Sequence, residues 1–94
     1  MLVKVKYFTT LREIVGKKEE RIRLSHSLTI EALLNQLSRK YGEEFEDYIY
    51  DSLGNVHGHL QFLINGKSSS TEQGIKTKMR EGDELAILPP VGGG

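Results

Sequence analysis

The chain of 94 residues contains no cysteine. This absence excludes disulfides, thiolate zinc sites, iron–sulfur clusters held by cysteine and any cysteine nucleophile. It also limits how the protein could take part in sulfur chemistry. If this protein handles sulfur, the sulfur must be carried by a group other than a thiol side chain.

An excess of charge and a long apolar run are also missing. Thirteen basic and thirteen acidic side chains give a net charge of zero, which provides no electrostatic reason to expect nucleic acid or an anionic membrane as a partner. No apolar run approaches the ~20 residues of a membrane span. The N-terminus alternates apolar and charged residues, unlike a signal peptide. We therefore expect one cytoplasmic domain.

Proline is scarce, and its only two occurrences are adjacent in the final segment, LPPVGGG. Chain ends are often frayed, which is the ordinary interpretation of such a segment. Here, however, the prolines fix the direction of the chain, and the glycines remove every side chain from its last part. Six residues beyond Leu88 reach about 20 Å when extended. The segment is therefore suited to carry the terminal carboxylate of Gly94 down a narrow channel in another protein.

The remaining sequence predicts strands around one main helix. Period-2 alternation in LVKVKYF and in EERIRL predicts two strands, and TTLREIVGKK between them predicts about one helical turn closed by Gly16. SLTIEALLNQLSRKYG predicts a helix with Thr29 as N-cap and Gly42 as its end. LQFLINGKS predicts a strand with a hairpin turn at Asn65-Gly66, and ELAILPP predicts a last strand halted by the prolines.

These elements predict an α+β domain in which one helix face covers one face of the sheet. We expect a β-grasp fold over residues 1–88, with a mixed sheet of four to five strands, and a flexible tail over residues 89–94. The segment from Glu43 to His59 predicts a short helical turn followed by a polar excursion. STEQGIKTKMREGDE predicts a loop with one turn around Ile75 and Met79. The expected core comprises Leu28, Ile30, Leu33, Leu34 and Leu37 packed on Val3, Val5, Ile22, Leu24, Phe62, Ile64, Leu85 and Ile87.

Three other segments are candidate functional sites. NGKS ends like a phosphate-binding loop, but the required glycine five residues before Gly66 is replaced by Gln61, so a hairpin turn is favoured. His57 and His59 could share one face of a strand, with His26 as a third histidine, but no carboxylate or cysteine spacing supports a zinc site, and a polar loop is favoured. The acidic run EEFED is interpreted as the solvated side of a short amphipathic turn.

The tail offers a definite chemistry. A carboxylate is a poor electrophile until it is activated, for instance as an acyl adenylate. The activated carboxylate can then accept sulfide to become a thiocarboxylate, or accept an amine to make an isopeptide bond. Neither product requires a cysteine in this chain.

Several segments together resemble the small sulfur-carrier subunit of molybdopterin synthase, a ubiquitin-like β-grasp family. The resemblance runs through YFTTLREIVG, LTIEALLNQLSRKYG, FLINGK and MREGDELAILPPVGGG, which cover nearly the whole chain. Its most specific element is Pro-Pro-Val-x-Gly-Gly at the C-terminus, in which Gly92 occupies the variable position. Leu88 stands where an aromatic residue often packs in the family.

The resemblance implies a non-catalytic sulfur-donor subunit that binds no permanent cofactor. An activating enzyme uses ATP to adenylate the carboxylate of Gly94, which is then thiocarboxylated, and the sulfur passes to a pyranopterin precursor. The implied partners are this ubiquitin-activating-like adenylyltransferase and the large subunit of molybdopterin synthase. Gly93 and Gly94 carry over as the reactive end. The implied partner-binding residues are Arg12, Leu88, Pro89, Pro90, Val91 and Gly92.

Other functions share the activated diglycine end and stay open. One is a sulfur carrier for thiamin or for tRNA thiolation, although the Pro-Pro pair favours the molybdopterin branch. Another is a ubiquitin-like modifier whose Gly94 is joined to lysines of other proteins. A β-grasp binding module with an inert tail ranks last, because it leaves the composition of the tail unexplained.

Overall fold

The computed structural model describes residues 1–68 and 74–89. Residues 69–73 and 90–94 lie outside the described part of the chain. The five strands are β1 (Leu2–Tyr7), β2 (Glu19–Arg23), β3 (Gln61–Ile64), β4 (Lys67–Ser68) and β5 (Glu84–Leu88). The helices are α1 (Thr9–Val15), α2 (Ile30–Tyr41) and α3 (Glu43–Ile49), and a 3-10 helix spans Gly74–Lys76.

The strands form one mixed sheet in the order β2-β1-β5-β3-β4. The two central strands, β1 and β5, run parallel, and the other neighbours are antiparallel. Helix α2 connects the N-terminal hairpin to the second half of the sheet and packs on one sheet face. This arrangement confirms the predicted β-grasp architecture. The proposed division at residue 88 coincides with the end of β5, and the tail beyond Pro89 stays a prediction.

Helix α2 begins and ends where its sequence predicts. The side chain of Thr29 accepts a hydrogen bond from the backbone N–H of Ala32 at 3.1 Å, which satisfies a donor in the first turn. Glu31 lies in the first turn and two cations, Arg39 and Lys40, lie in the last, as the helix dipole favours. Gly42 follows with φ of 93°, a conformation that glycine adopts easily.

The buried face of α2 packs on the inner face of the sheet, as predicted. Ile30, Leu33 and Leu34 are fully buried. Two expected members, Leu28 and Ile64, are only partly buried against the core. The other predicted core residues are buried, and the core also includes Tyr7, Leu11, Val15, Phe45, Ile49, Leu60 and Met79.

Several local predictions need correction. Helix α1 has seven residues rather than one turn, and it ends at Gly16 with φ of 86°. The turn predicted around Ile75 and Met79 includes only Ile75, in the 3-10 helix. Met79 instead follows an isolated bridge between Lys78 and Thr29, and its N–H donates to the carbonyl of Leu28 at 2.8 Å. This pairing directs its side chain into the core, where it is 0% exposed.

The predicted hairpin turn at Asn65-Gly66 is present. Asn65 has φ of 53° and Gly66 has φ of 82°, the left-handed pair that a tight hairpin requires. The turn joins β3 to β4, in the register that pairs Ile64 with Lys67. NGKS is therefore a hairpin, as predicted.

Candidate functional site

The chain leaves the sheet from its centre. Strand β5 lies between β1 and β3, so that Ile87 has Tyr7 beside it on one side and Phe62 on the other. Leu88 forms the last pairing, opposite Gln61. Pro89 follows and has no N–H, so the ladder cannot continue on its donor side. The tail therefore begins at a well-defined point beside the end of β1.

The outer face of the sheet carries apolar side chains at this point, beside Lys6 and Gln61. Leu85 and Ile87 are buried on the inner face, and strand alternation places Ala86 and Leu88 on the opposite face. Leu63 pairs with Ala86 across the sheet, which extends the apolar surface to β3. Leu88 and Pro89 are half-buried. An apolar surface at the end of a strand is suited to being covered by a partner.

Arg12 lies on α1, the helix that follows the end of β1. Its Nε donates to the carbonyl of Tyr7 at 3.3 Å, and its guanidinium carbon lies 5.8 Å from the centre of the Phe8 ring. The cation is thus held against the end of the strand that neighbours β5. We call Phe8, Arg12, Leu63, Leu88 and Pro89 the tail exit.

The backbone turns sharply beside the tail exit. Thr9 has φ of 46°, a region that β-branched residues rarely adopt and that costs about 1–3 kcal/mol. The strained turn is held by the carbonyl of Phe8, which accepts hydrogen bonds from the N–H groups of Leu11 at 3.1 Å and Arg12 at 3.3 Å. This turn sets the position from which α1 presents Arg12.

A carboxylate supports the end of β1 from the inner side. Glu20 lies on β2 with its side chain only 8% exposed. One oxygen accepts hydrogen bonds from the hydroxyls of Tyr7, at 2.5 Å, and of Tyr41. The other lies 3.0 Å from the Lys40 ammonium and 3.6 Å from that of Lys17. This Glu20 cluster joins both N-terminal strands to the last turn of α2.

The protonation states of the cluster reinforce one another. Burial alone raises the pKa of the Glu20 carboxyl, but the hydrogen bonds from the two tyrosines and Lys40 outweigh burial and hold this pKa below its usual value. Burial, followed by the hydrogen bond to Glu20, raises the pKa of Tyr7, which keeps the phenol protonated. The hydrogen bond to Glu20 also raises the pKa of Lys40. At neutral pH the Glu20 carboxyl is therefore ionised, the Tyr7 phenol is protonated and Lys40 carries its charge.

The structure also shows where the histidines and the acidic run of the other candidate sites lie. The rings of His57 and His59 meet edge to face with 4.7 Å between their centres. Within residues 1–68 and 74–89, no group of three or more histidines and carboxylates converges in a way that could hold a metal ion. The four carboxylates of EEFED lie on the exposed side of α3, as expected, and Phe45 between them is buried. In the same described ranges, no helix has the length and apolar character needed to cross a bilayer.

Three of the predicted site residues lie in the described part of the chain, namely Arg12, Leu88 and Pro89. Pro90, Val91, Gly92, Gly93 and Gly94 lie outside it. Phe8, Leu63 and Ala86 were not among the predicted site residues. Phe8 could have been found by extending the alternation of Lys4 and Lys6 by two residues. The pairing of Leu63 with Ala86 depends on register, which the sequence did not specify.

The mixed five-stranded sheet, its crossing helix and a central last strand that leads into LPPVGGG define a ubiquitin-like β-grasp protein. The sequence matches the ThiS family over residues 5–94. The chain therefore belongs to the ThiS family, and it is of the type that comprises sulfur carriers and ubiquitin-like modifiers.

The relatives include both modifier proteins and sulfur carrier subunits. The chain is 32% identical to small archaeal modifier protein 3 of Haloferax volcanii, with 100% of both chains covered. It is 30% identical to the molybdopterin synthase sulfur carrier subunit of Chlamydomonas reinhardtii, again with 100% of both covered. The crystal structure of SAMP1 from Haloferax volcanii matches with a TM-score of 0.83 at 26% identity and covers 100% of both chains.

Proposed function

We propose that this protein is a sulfur carrier whose terminal carboxylate, at Gly94, is converted to a thiocarboxylate for molybdopterin synthesis. The observation that carries the proposal is the match to the ThiS family, which extends to the last residue, Gly94. The position of β5 supports it, because a strand at the centre of the sheet directs the tail away from a rigid base. The absence of cysteine is consistent with it, since the sulfur is then carried on the main-chain terminus.

The reaction has two steps. The carboxylate attacks the α-phosphorus of ATP on an activating enzyme, which forms the acyl adenylate and releases pyrophosphate. A sulfide nucleophile then attacks the acyl carbon, the bond to AMP breaks, and AMP leaves with the electron pair of that bond. The product is the thiocarboxylate of Gly94. Its sulfur forms a bond to a pyranopterin precursor, and water then cleaves the acyl–sulfur bond and restores the Gly94 carboxylate.

The residues around the tail have separate roles in this proposal. Gly93 and Gly94 are the reactive end, and a chain without side chains at this point fits a narrow channel. Gly92 occupies a less restricted position. Pro89, Pro90 and Val91 direct the tail and contact the partner, together with Leu88 and Arg12. The partners are the large subunit of molybdopterin synthase and a ubiquitin-activating-like adenylyltransferase.

A second candidate is a ubiquitin-like modifier, in which a lysine amine attacks the acyl carbon and forms an isopeptide bond. The observation that favours it is the match to small archaeal modifier protein 3, over the full length of both chains. The first step is the same in both functions. They differ only in the nucleophile that accepts the activated Gly94.

The test follows the mass of the intact chain. The protein is incubated with ATP, an activating enzyme of the ubiquitin-activating type and a sulfide donor, and a variant lacking Gly94 is the matched control. We expect the full chain to gain the mass difference between sulfur and oxygen, and the thiocarboxylate to yield a dithiolene when the synthase large subunit and the precursor are added. Conjugates of higher mass in cell extract, with no dithiolene formed, would support the modifier instead. No mass change in the presence of a competent enzyme would overturn both.

A further inference from the structure

The acidic and basic side chains of this protein are separated along the chain. Residues 41–66 contain five carboxylates and no lysine or arginine, whereas residues 67–80 contain four cations and a single acid, Glu72. The whole chain has a net charge of zero. The charge balance therefore conceals two oppositely charged regions, and neither is used by the tail chemistry proposed above.

The cations of the second region line an open groove of about 940 Å³. We call Lys67, Lys76, Lys78 and Arg80 the basic groove, and all four side chains are exposed. Among the described residues no carboxylate lies within ion-pair distance of any of these cations except Glu31, which is 3.7 Å from Lys76.

One acidic residue, Asp83, also lines the groove. Its carboxylate already accepts hydrogen bonds from the Asn65 amide at 2.9 Å and the Arg80 N–H at 2.7 Å. Its charge reduces that of the groove by one and leaves an excess of positive charge. The basic groove is therefore suited to an anionic occupant.

The largest group of uncompensated carboxylates lies on α3. Phe45 and Ile49 are buried, so the other side of this helix faces solvent. We call Glu43, Glu44, Glu46 and Asp47 the acidic helix face; all four are exposed. The ion pairs present in the described ranges use carboxylates on β2, α2 and β5, and none uses the acidic helix face.

The two charged surfaces lie beside different parts of α2. The backbone of Ile30, at the start of α2, donates to Thr77 beside the basic groove at 3.0 Å. Helix α3 begins two residues after the end of α2 and lies beside the second half of α2, where Glu46 and Asp47 line a cleft with Asn35. In the described ranges no ion pair joins the acidic helix face to the basic groove. The two surfaces therefore do not neutralise each other within one molecule, although they can between molecules.

We propose that the basic groove binds the acidic helix face of a second copy of this chain, in a transient head-to-tail contact. Four cations face four carboxylates in such a contact. The net charge of zero removes the long-range repulsion that would otherwise keep the copies apart. The contact is heterologous, so each copy can engage two neighbours. On the copy that contributes the basic groove, the tail exit lies outside the centre of the interface, because the groove is at the opposite end of β5.

Salt dependence is the first test, since exposed charges are screened within about 10 Å at 0.1 M salt. Sedimentation velocity of the full chain at neutral pH and low ionic strength is expected to show a concentration-dependent increase in the sedimentation coefficient. Added sodium chloride should return the protein to a monomer. A monomer at every concentration in low salt overturns the proposal, as does association that persists in high salt.

Charge reversal tests the two surfaces. Lys78→Glu with Arg80→Glu reverses the groove, and Glu46→Lys with Asp47→Lys reverses the helix face. Each double variant should weaken self-association at least about tenfold, because like charges are then juxtaposed. An equimolar mixture of the two variants should associate again, since each supplies the surface that complements the other.

The matched control is Arg21→Glu with Arg23→Glu, which makes the same change in charge on edge strand β2, away from the groove. It should weaken association much less than the groove variant does, because it adds the same net charge without reversing the contact surface, and circular dichroism of each variant checks that the fold is kept. If the control weakens association as much as the groove variant does, the contact uses the β2 edge and the proposal is wrong. Failure of the mixed variants to associate also overturns it. Both outcomes are independent of the proposed sulfur chemistry, because Gly94 is unchanged.

Discussion

The two ends of strand β5 are held in different ways. At its start, Asn65 donates to the Asp83 carboxylate at 2.9 Å and accepts from the N–H of Glu84 at 2.9 Å, so side chains fix the turn that leads into the strand. At its end, the last pairing joins Leu88 to Gln61. Pro89 then follows and offers no backbone donor.

The difference shows where the polar contacts of this fold lie. The start of β5 is fixed by hydrogen bonds between Asn65 and residues 83 and 84 of the same domain, and no partner is needed to complete them. The end of β5 is supported from the inner side, because the Glu20 cluster holds the neighbouring strand β1 through Tyr7. This leaves the apolar side chains of the outer face at the tail exit available. Side-chain hydrogen bonds thus hold both ends of the central strands up to Leu88.

The largest expected effect lies at the last residue, beyond the end of β5. Adding one residue after Gly94, or deleting Gly94, moves the carboxylate by about 3.5 Å. A misplacement of ~1 Å between reacting atoms can reduce a rate about a hundredfold. We therefore expect adenylation and sulfur transfer to be abolished, while the thermal unfolding midpoint stays unchanged. Pyrophosphate exchange on the activating enzyme measures the first step.

Two neighbouring substitutions serve as controls for the position of the carboxylate. Gly93→Val should also abolish transfer, because its side chain blocks a narrow channel, whereas Gly92→Ala should be nearly silent. If a chain extended past Gly94 accepts AMP and sulfur at the normal rate without being trimmed, the carrier function is wrong.

The next largest effect tests the core that lies beneath both ends of the sheet. Leu34 is fully buried on α2, and Leu34→Ala removes buried methylene groups and leaves a cavity. The free energy of unfolding should fall by about 2–5 kcal/mol, as measured by chemical denaturation. The folded variant should still be activated at Gly94, because the substitution changes neither end of β5. A loss below about 1 kcal/mol would contradict the assigned helix face.

The sequence predicted the elements whose signals are local. The Thr29 cap, the periodicity of α2 and the turn at Asn65-Gly66 each depend on a few adjacent residues, and each is present. The turn around Met79 was wrong, because the conformation of Met79 is set by pairing with Leu28, about fifty residues away. Non-local pairing overrides weak local preference in such segments.

The same distinction applies to the candidate site. Arg12, Leu88 and Pro89 were predicted from a family resemblance, whereas the Glu20 cluster was missed. Alternation with Ile22 and Leu24 places Glu20 on the inner face of β2, and a carboxylate at an inner position could have been noted as needing partners. Its partners, however, come from β1 and from the end of α2. Only the assembled fold brings Tyr7 and Tyr41 to one carboxylate oxygen.

The Glu20 cluster gives a pH-dependent test of the support under the tail exit. Glu20→Gln removes the charge that pairs with Lys40, and should lower the free energy of unfolding at pH 7 by about 1–2 kcal/mol. The pKa of Glu20 is lowered in the folded state, against about 4.3 in an unfolded chain. Its stabilisation is therefore fully present above the unfolded pKa and is lost as pH falls through the folded pKa.

The difference in stability between wild type and Glu20→Gln should accordingly shrink as the pH falls below about 4. Urea unfolding at neutral and acidic pH measures it. Glu13→Gln is the control, because Glu13 is exposed on α1 and belongs to no ion pair among the described residues. A difference that stays constant from neutral to acidic pH would mean that the Glu20 charge is not what supports the end of β1.

The smallest expected effect comes from a charge placed at one end of the outer sheet face, and the same charge placed at the other end is the comparison. Leu88→Asp places a charge at the tail exit, and we expect binding to the synthase large subunit to weaken at least about tenfold, which corresponds to about 1.4 kcal/mol. The isolated domain should stay folded, because Leu88 is only half-buried. Leu2→Asp makes the same change at the other end of this face, where Leu2 is 37% exposed, and it should leave the affinity unchanged. Isothermal titration calorimetry of both variants distinguishes the two ends. Equal affinities for Leu88→Asp and the wild type would place the interface away from the tail exit, and the apolar end of β5 would then need another explanation.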